Sequence, residues 1–128
     1  KQVRKIIKGK KSAELGISAM VSLTDLATAN NTVAILINGP IAKEISEEYG
    51  IEPKRAASLL DIFSCVFQGL IPYGAQILMA AGLAKINPVS PFEVVYLTWY
   101  PLVLAAFALL SIYVPYVDRV SAVFKKTN

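Results

Sequence analysis

Asp61, Ser64, Cys65 and Gln68 fall at i, i+3, i+4 and i+7, so they share one face of one helix. Upstream, Ser18, Ser22, Asp25 and Thr28 form a second polar row at helical spacing. That row runs into Thr28-Ala29-Asn30-Asn31-Thr32, a stretch dense in side-chain oxygens. Carboxylate, amide and hydroxyl oxygens suit a hard cation such as Na⁺ and do not favour a transition metal. The chain has no His and one cysteine, Cys65, which excludes imidazole ligation, a histidine-based triad, an internal disulfide and a thiolate cluster. No Gly-rich phosphate loop occurs. A carboxylate that holds either Na⁺ or H⁺, but not both, is sufficient for exchange. One acid, several neutral oxygens and a gate meet that requirement.

The same residues have plainer readings. Ser and Thr rows join membrane helices, and Gly/Pro kinks are frequent in membrane spans. Ser18, Ser22 and Ser64 fit packing well, and the Asn30-Asn31 pair also suits a simple loop between short helices. The carboxylates differ, because an acid at mid-bilayer costs at least ~2.5 kcal/mol and faces an interior or an aqueous path. Asp25 and Asp61 are therefore the candidate exchangeable charges, Asp61 lying closer to the start of its helix. Glu14 and Glu93 are expected at interfaces, Glu44, Glu47, Glu48 and Glu52 on a solvated face, and Cys65 as a small buried hydrophobe.

The elements that must position these groups belong to a membrane. Of 128 residues, 55% are apolar and 17% charged, where a soluble domain carries about a quarter charged. Mean hydropathy is +0.51. Residues 56–84 contain one charge, Asp61, and residues 92–117 contain one, Glu93. About 20 helical residues cross a hydrocarbon core of ~30 Å. The net charge of +4 sits in blocks beside apolar runs, a pattern of membrane topology and not of nucleic-acid binding.

Residues 1–11 form a basic cytoplasmic lead-in, 12–42 a hairpin broken at 28–32, and 43–55 a charged cytoplasmic loop. Asn38-Gly39-Pro40 reads as a helix end, and Glu52-Pro53 as the start of the next helix. That helix breaks over Gln68-Gly69-Leu70-Ile71-Pro72-Tyr73-Gly74 and resumes to residue 84. Loop 85–91 leads to the final span, 92–117, whose ends carry Phe92, Tyr96, Trp99, Tyr100, Tyr113 and Tyr116 as interfacial aromatics; Pro101 and Pro115 kink or cap it. Residues 118–128 are a basic cytoplasmic tail.

Charge decides how 12–42 enters the bilayer. If the segment crosses fully, bases divide almost evenly between the two sides. If it enters and returns at Asn30-Asn31, the six bases of 1–11, three of 43–55 and three of the tail share one side, leaving Lys85 alone opposite. The positive-inside rule selects the re-entrant hairpin. Unwound chain survives in lipid only beside protein or a wet cavity, and transporters use such breaks to bring carbonyls and half-helix dipoles to an ion. The expected ion-binding residues are Asp25, Asn30, Asn31, Thr32, Asp61 and Gln68. Gly39, Pro40, Gly69, Pro72 and Gly74 are the expected hinges or breaks.

SLTDLATANNTVAILINGPIAKEI, RAASLLDIFSCVFQGLIPYGAQILMAAGLA and SPFEVVYLTWYP occur in this order and cover most of the chain from about residue 12. Together they resemble the C-terminal end of the NhaC-type sodium/proton antiporters of the ion-transporter superfamily. The resemblance implies an all-α polytopic protein of the bacterial inner (plasma) membrane, a secondary transporter and not an enzyme. It implies inverted repeats, each with a re-entrant hairpin, a discontinuous transmembrane helix and a further span. Asn30, Asn31 and Thr32 match the hairpin-tip ligand motif, and Gln68 to Gly74 match the helix break. This chain would supply one such half, a fragment without complete activity. Expected partners are the lipid bilayer, transported Na⁺ and protons, the N-terminal half of the transporter and, as an alternative to a monomer, a second copy in a homodimer. No cofactor and no nucleic acid are expected. Two other functions stay open: Na⁺/H⁺-coupled exchange of an organic anion such as malate and lactate, and a non-transporting small helical membrane subunit.

Overall fold

The computed structural model describes residues 9–84 and 89–114, and these form six helices and no strand. They are α1 (Lys10–Thr28), α2 (Asn31–Glu48), α3 (Pro53–Gln68), α4 (Ala75–Leu83), α5 (Pro91–Leu97) and α6 (Tyr100–Tyr113). The all-α expectation is met. Residues 1–8 of the lead-in, loop positions 85–88 with Lys85, and Pro115, Tyr116 and the 118–128 tail lie outside the described residues.

The hairpin turns where its side chains require. Ala29 ends α1 in the left-handed region (φ 50°), and Asn30 caps α2 by accepting the Val33 N–H at 3.2 Å. Two residues thus reverse the chain and set α2 antiparallel to α1. Asn38-Gly39-Pro40 does not end α2, contrary to expectation: Pro40 lies inside the helix, which continues to Glu48. Proline removes the donor that would have met the Leu36 carbonyl. Burial of Asn38, whose Nδ2 donates to Ala34 O at 2.8 Å, and of Ala42 and Ile45 carries the helix through. The end comes at Gly50 (φ +64°), where Ile51 N–H donates to Ser46 O at 2.8 Å in a Schellman cap. The charged 43–55 segment is therefore helical over its first half.

Pro53 opens α3 as expected, with Glu52 before it in extended conformation. Ala13, Ile17 and Val21 of α1 meet Ala34, Ala42 and Ile45 of α2 and Ala56, Leu59, Leu60 and Phe63 of α3 in one core; Ala108 and Ile112 of α6 close it. The i, i+4 recurrence on α1 is what lets one face serve three neighbours. Helices α1 and α3 run parallel, since Arg55 reaches Glu14 at one end and Gln68 reaches Ala29 at the other.

The expected single final span is two helices bent by 49°. Pro101 lies in the first turn of α6, and Thr98 is extended, so the proline starts a new helix instead of kinking an old one. No single described helix is long and apolar enough to cross a membrane; α5 and α6 together reach that length and hydropathy.

Candidate functional site

Ala13, Ile17 and Val21 form the apolar row of α1, and the next residue at this spacing is Asp25. A carboxylate therefore occupies a core position one turn from the helix end. It is fully buried, and neither Oδ1 nor Oδ2 has a hydrogen-bond partner. Hydroxyls that neighbour it in sequence turn back on their own helix: Ser18 Oγ donates to Glu14 O at 2.9 Å and Ser22 Oγ to Ser18 O at 2.7 Å. The serine row is in this respect structural.

The break after α3 closes on the same end of α1. Gln68 Nε2 donates to Ala29 O at 3.1 Å, while its buried Oε1 has no partner. Tyr73 donates through its hydroxyl to Leu26 O at 2.6 Å. Three buried acceptor oxygens without donors, two on Asp25 and one on Gln68, thus belong to one end of the bundle. Two helix C-termini meet there, each carrying roughly half a negative charge. The α2 N-terminus adjoins them with opposite sign, its Val33 N–H already used by Asn30. Unpaired acceptor oxygens beside two helix C-termini favour a cation over an anion. Among the described residues no group of three or more His, Cys, Asp or Glu side chains is placed to hold a metal.

The other expected residues are placed less centrally. Asn30 and Thr32 are exposed and Asn31 is half-buried at the tip; Asn30 Oδ1 is engaged in capping. Asp61 and Cys65 are exposed on α3, whereas Ser64 and Gln68 of the same row are buried. Cys65 is therefore not the buried hydrophobe expected. Core packing takes the Ser64/Gln68 edge of that face and leaves the other edge outside. Asp25 and Asp61 are not brought to equivalent positions.

Of the hinge candidates, Gly69 makes a required close approach: a Cβ there would stand 2.8 Å from Pro101 Cγ. Gly74 caps α4, where a Cβ would lie 3.1 Å from Ile71 O and 3.4 Å from Gln68 Nε2. Pro72 lies within the break. Gly39 has open space around its Cβ position and, with Pro40, sits in continuous helix, so no close approach occurs there.

Two features escape sequence reasoning. Arg55, expected in a solvated loop, is largely buried; its Nη2 donates to Glu14 Oε2 at 3.2 Å and to Ser111 Oγ at 3.0 Å. Glu14 is likewise buried within the bundle. Tyr73 carries no sequence signal beyond its position between Pro72 and Gly74.

The chain matches no curated protein and no solved structure. Residues 1–116 match the family model described as the Na⁺/H⁺ antiporter family. With nearly the whole chain under that match, the protein belongs to the Na⁺/H⁺ antiporter family.

Proposed function

We propose that this chain forms the C-terminal half of an NhaC-type antiporter that exchanges Na⁺ for H⁺ across the bacterial inner membrane. In this reading α1 and α2 are the re-entrant hairpin, α3 and α4 the discontinuous helix, and α5 with α6 the final span. The observation that carries it is Asp25, whose two carboxylate oxygens are fully enclosed without a donor. An uncompensated buried charge costs several kcal/mol, so such a group is stable when it carries a proton or pairs with a cation. Those are the two cargoes of an antiporter, and one carboxylate that cannot hold both at once couples their movements. Asp25 supplies the exchangeable charge, Gln68 Oε1 a neutral ligand, and the C-terminal dipoles of α1 and α3 favour the dehydrated ion. The tip residues Asn30, Asn31 and Thr32 line the approach from the hairpin turn.

The test is Na⁺-driven proton movement in everted vesicles containing the full-length transporter. Asp25→Asn keeps the shape and removes the charge. Loss of Na⁺-dependent proton flux is expected, with the protein still inserted at normal abundance. Flux at the unmodified rate would overturn the assignment.

A further inference from the structure

The buried carboxylate poses a problem of access. No ion reaches Asp25 while it is fully enclosed, so some neighbouring element must move during each exchange. The rows of Leu59, Leu60 and Phe63 against Ile17 and Val21 are packed core, and displacing them exposes apolar surface. The six residues between α3 and α4 are different. They have no continuous helical ladder; Ile71 and Gly74 are buried, and the segment is tied to the end of α1 by Tyr73 Oη on Leu26 O (2.6 Å), beside the bond from Gln68, the last residue of α3, through Nε2 to Ala29 O (3.1 Å). Leu26 directly follows Asp25, and its carbonyl belongs to the last turn of α1. Tyr73 is 55% exposed. Its hydrogen bond is therefore one that surrounding water or protein can replace when it opens.

We propose that Tyr73 is a positioning residue of the transport site: its hydroxyl latches the 69–74 break onto Leu26, and release of this latch admits and discharges the ion at Asp25. The inference rests on the sodium site proposed above. Gln68 ties the end of α3 to Ala29 through Nε2, and its buried Oε1 has no partner. Tyr73 contributes its hydroxyl to the tie on Leu26. Removing its hydroxyl weakens the closed arrangement whether Na⁺ or H⁺ occupies the carboxylate, so exchange quickens in both directions while equilibrium affinity is kept.

The experiment compares Tyr73→Phe with the unmodified full-length transporter, measuring the dissociation rate of ²²Na⁺ and its equilibrium binding separately. Loss of one exposed hydrogen bond is expected to raise the dissociation rate about three- to tenfold, with affinity changed less than about twofold. A structural role for the phenol would lower binding capacity and leave the rate of the remaining sites unchanged, which would overturn the latch. Hydrogen exchange on the unmodified transporter gives a second reading independent of any variant. Amides 69–74 should exchange faster than those in the middle of α3 and slow when Na⁺ is added; equal protection in both segments also overturns the proposal. Asp25→Asn separates the two levels. If it binds ²²Na⁺ normally, the site and the latch both fall. If it loses binding while Tyr73→Phe leaves the rate unchanged, the latch alone falls.

Discussion

Gln68 and Ala29 join the ends of two parallel helices, the side-chain amide of one donating at 3.1 Å to the final carbonyl of the other. Through this bond the broken helix and the hairpin close on each other, and the Oε1 of Gln68 is buried without a partner. Gln68→Leu removes donor and acceptor together and leaves Ala29 O without its partner. A stability loss of about 1–3 kcal/mol is expected in urea unfolding of the micellar protein. Na⁺ affinity should fall with it, as read by equilibrium binding.

Asp61 and Asp25 should behave differently although both follow polar helical rows. Asp61 is exposed on α3 and Asp25 is fully enclosed. Asp61→Asn is expected to retain most Na⁺-dependent proton flux, within about twofold, since surface substitutions away from special features change energies by about 0.5 kcal/mol or less. Flux in everted vesicles, normalised to transporter abundance, makes the comparison.

Ala29 holds a left-handed backbone, φ 50° and ψ 32°, without being glycine. That conformation costs an L-residue about 1–2 kcal/mol. Ala29→Gly should therefore stabilise the protein by about 1 kcal/mol, visible as a higher urea midpoint at unchanged slope. A lower midpoint would show that the strain argument fails at this position.

Gly69 is the seat of Pro101. A methyl group at 69 would stand 2.8 Å from Pro101 Cγ, so the two breaks, after α3 and before α6, fit together only with glycine there. Gly69→Ala is expected to destabilise by about 1–3 kcal/mol through overpacking. Pro101→Ala removes the opposing ring atom, and the double variant should recover part of that loss. The coupling is measured by a double-mutant cycle.

Glu14 and Arg55 form a largely buried pair at 3.2 Å, with side chains 8% and 16% exposed. Arg55→Met leaves Glu14 without its ionic partner and should cost about 3–5 kcal/mol. Glu14→Leu combined with Arg55→Met should be milder than Arg55→Met alone, because no lone charge is then buried. Thermal unfolding of the two variants in micelles distinguishes these outcomes.

The hairpin turn at Asn30, the proline start at Pro53 and the break from Gly69 to Gly74 were all legible in the sequence. Each depends on local chemistry: an Asn cap, a residue lacking an N–H, glycines and a proline within a few positions. The same local logic failed at Gly39-Pro40, where buried side chains on both sides carry α2 onward. In the final span Pro101 starts α6 as a helix-opening proline, and the run bends by 49° at that point. Residue spacing grouped Asp25 with Ser18 and Ser22, and Asp61 with Ser64 and Gln68, but periodicity defines a face without saying what covers it. Only the tertiary packing buries Asp25, while Asp61 stays exposed. Likewise, the bonds from Gln68 to Ala29, from Tyr73 to Leu26 and from Arg55 to Glu14 span 39 to 47 residues of chain. No local pattern encodes such distances. The oxygens available to a cation were therefore written in the sequence, and the three-dimensional packing chose which of them are buried without a partner.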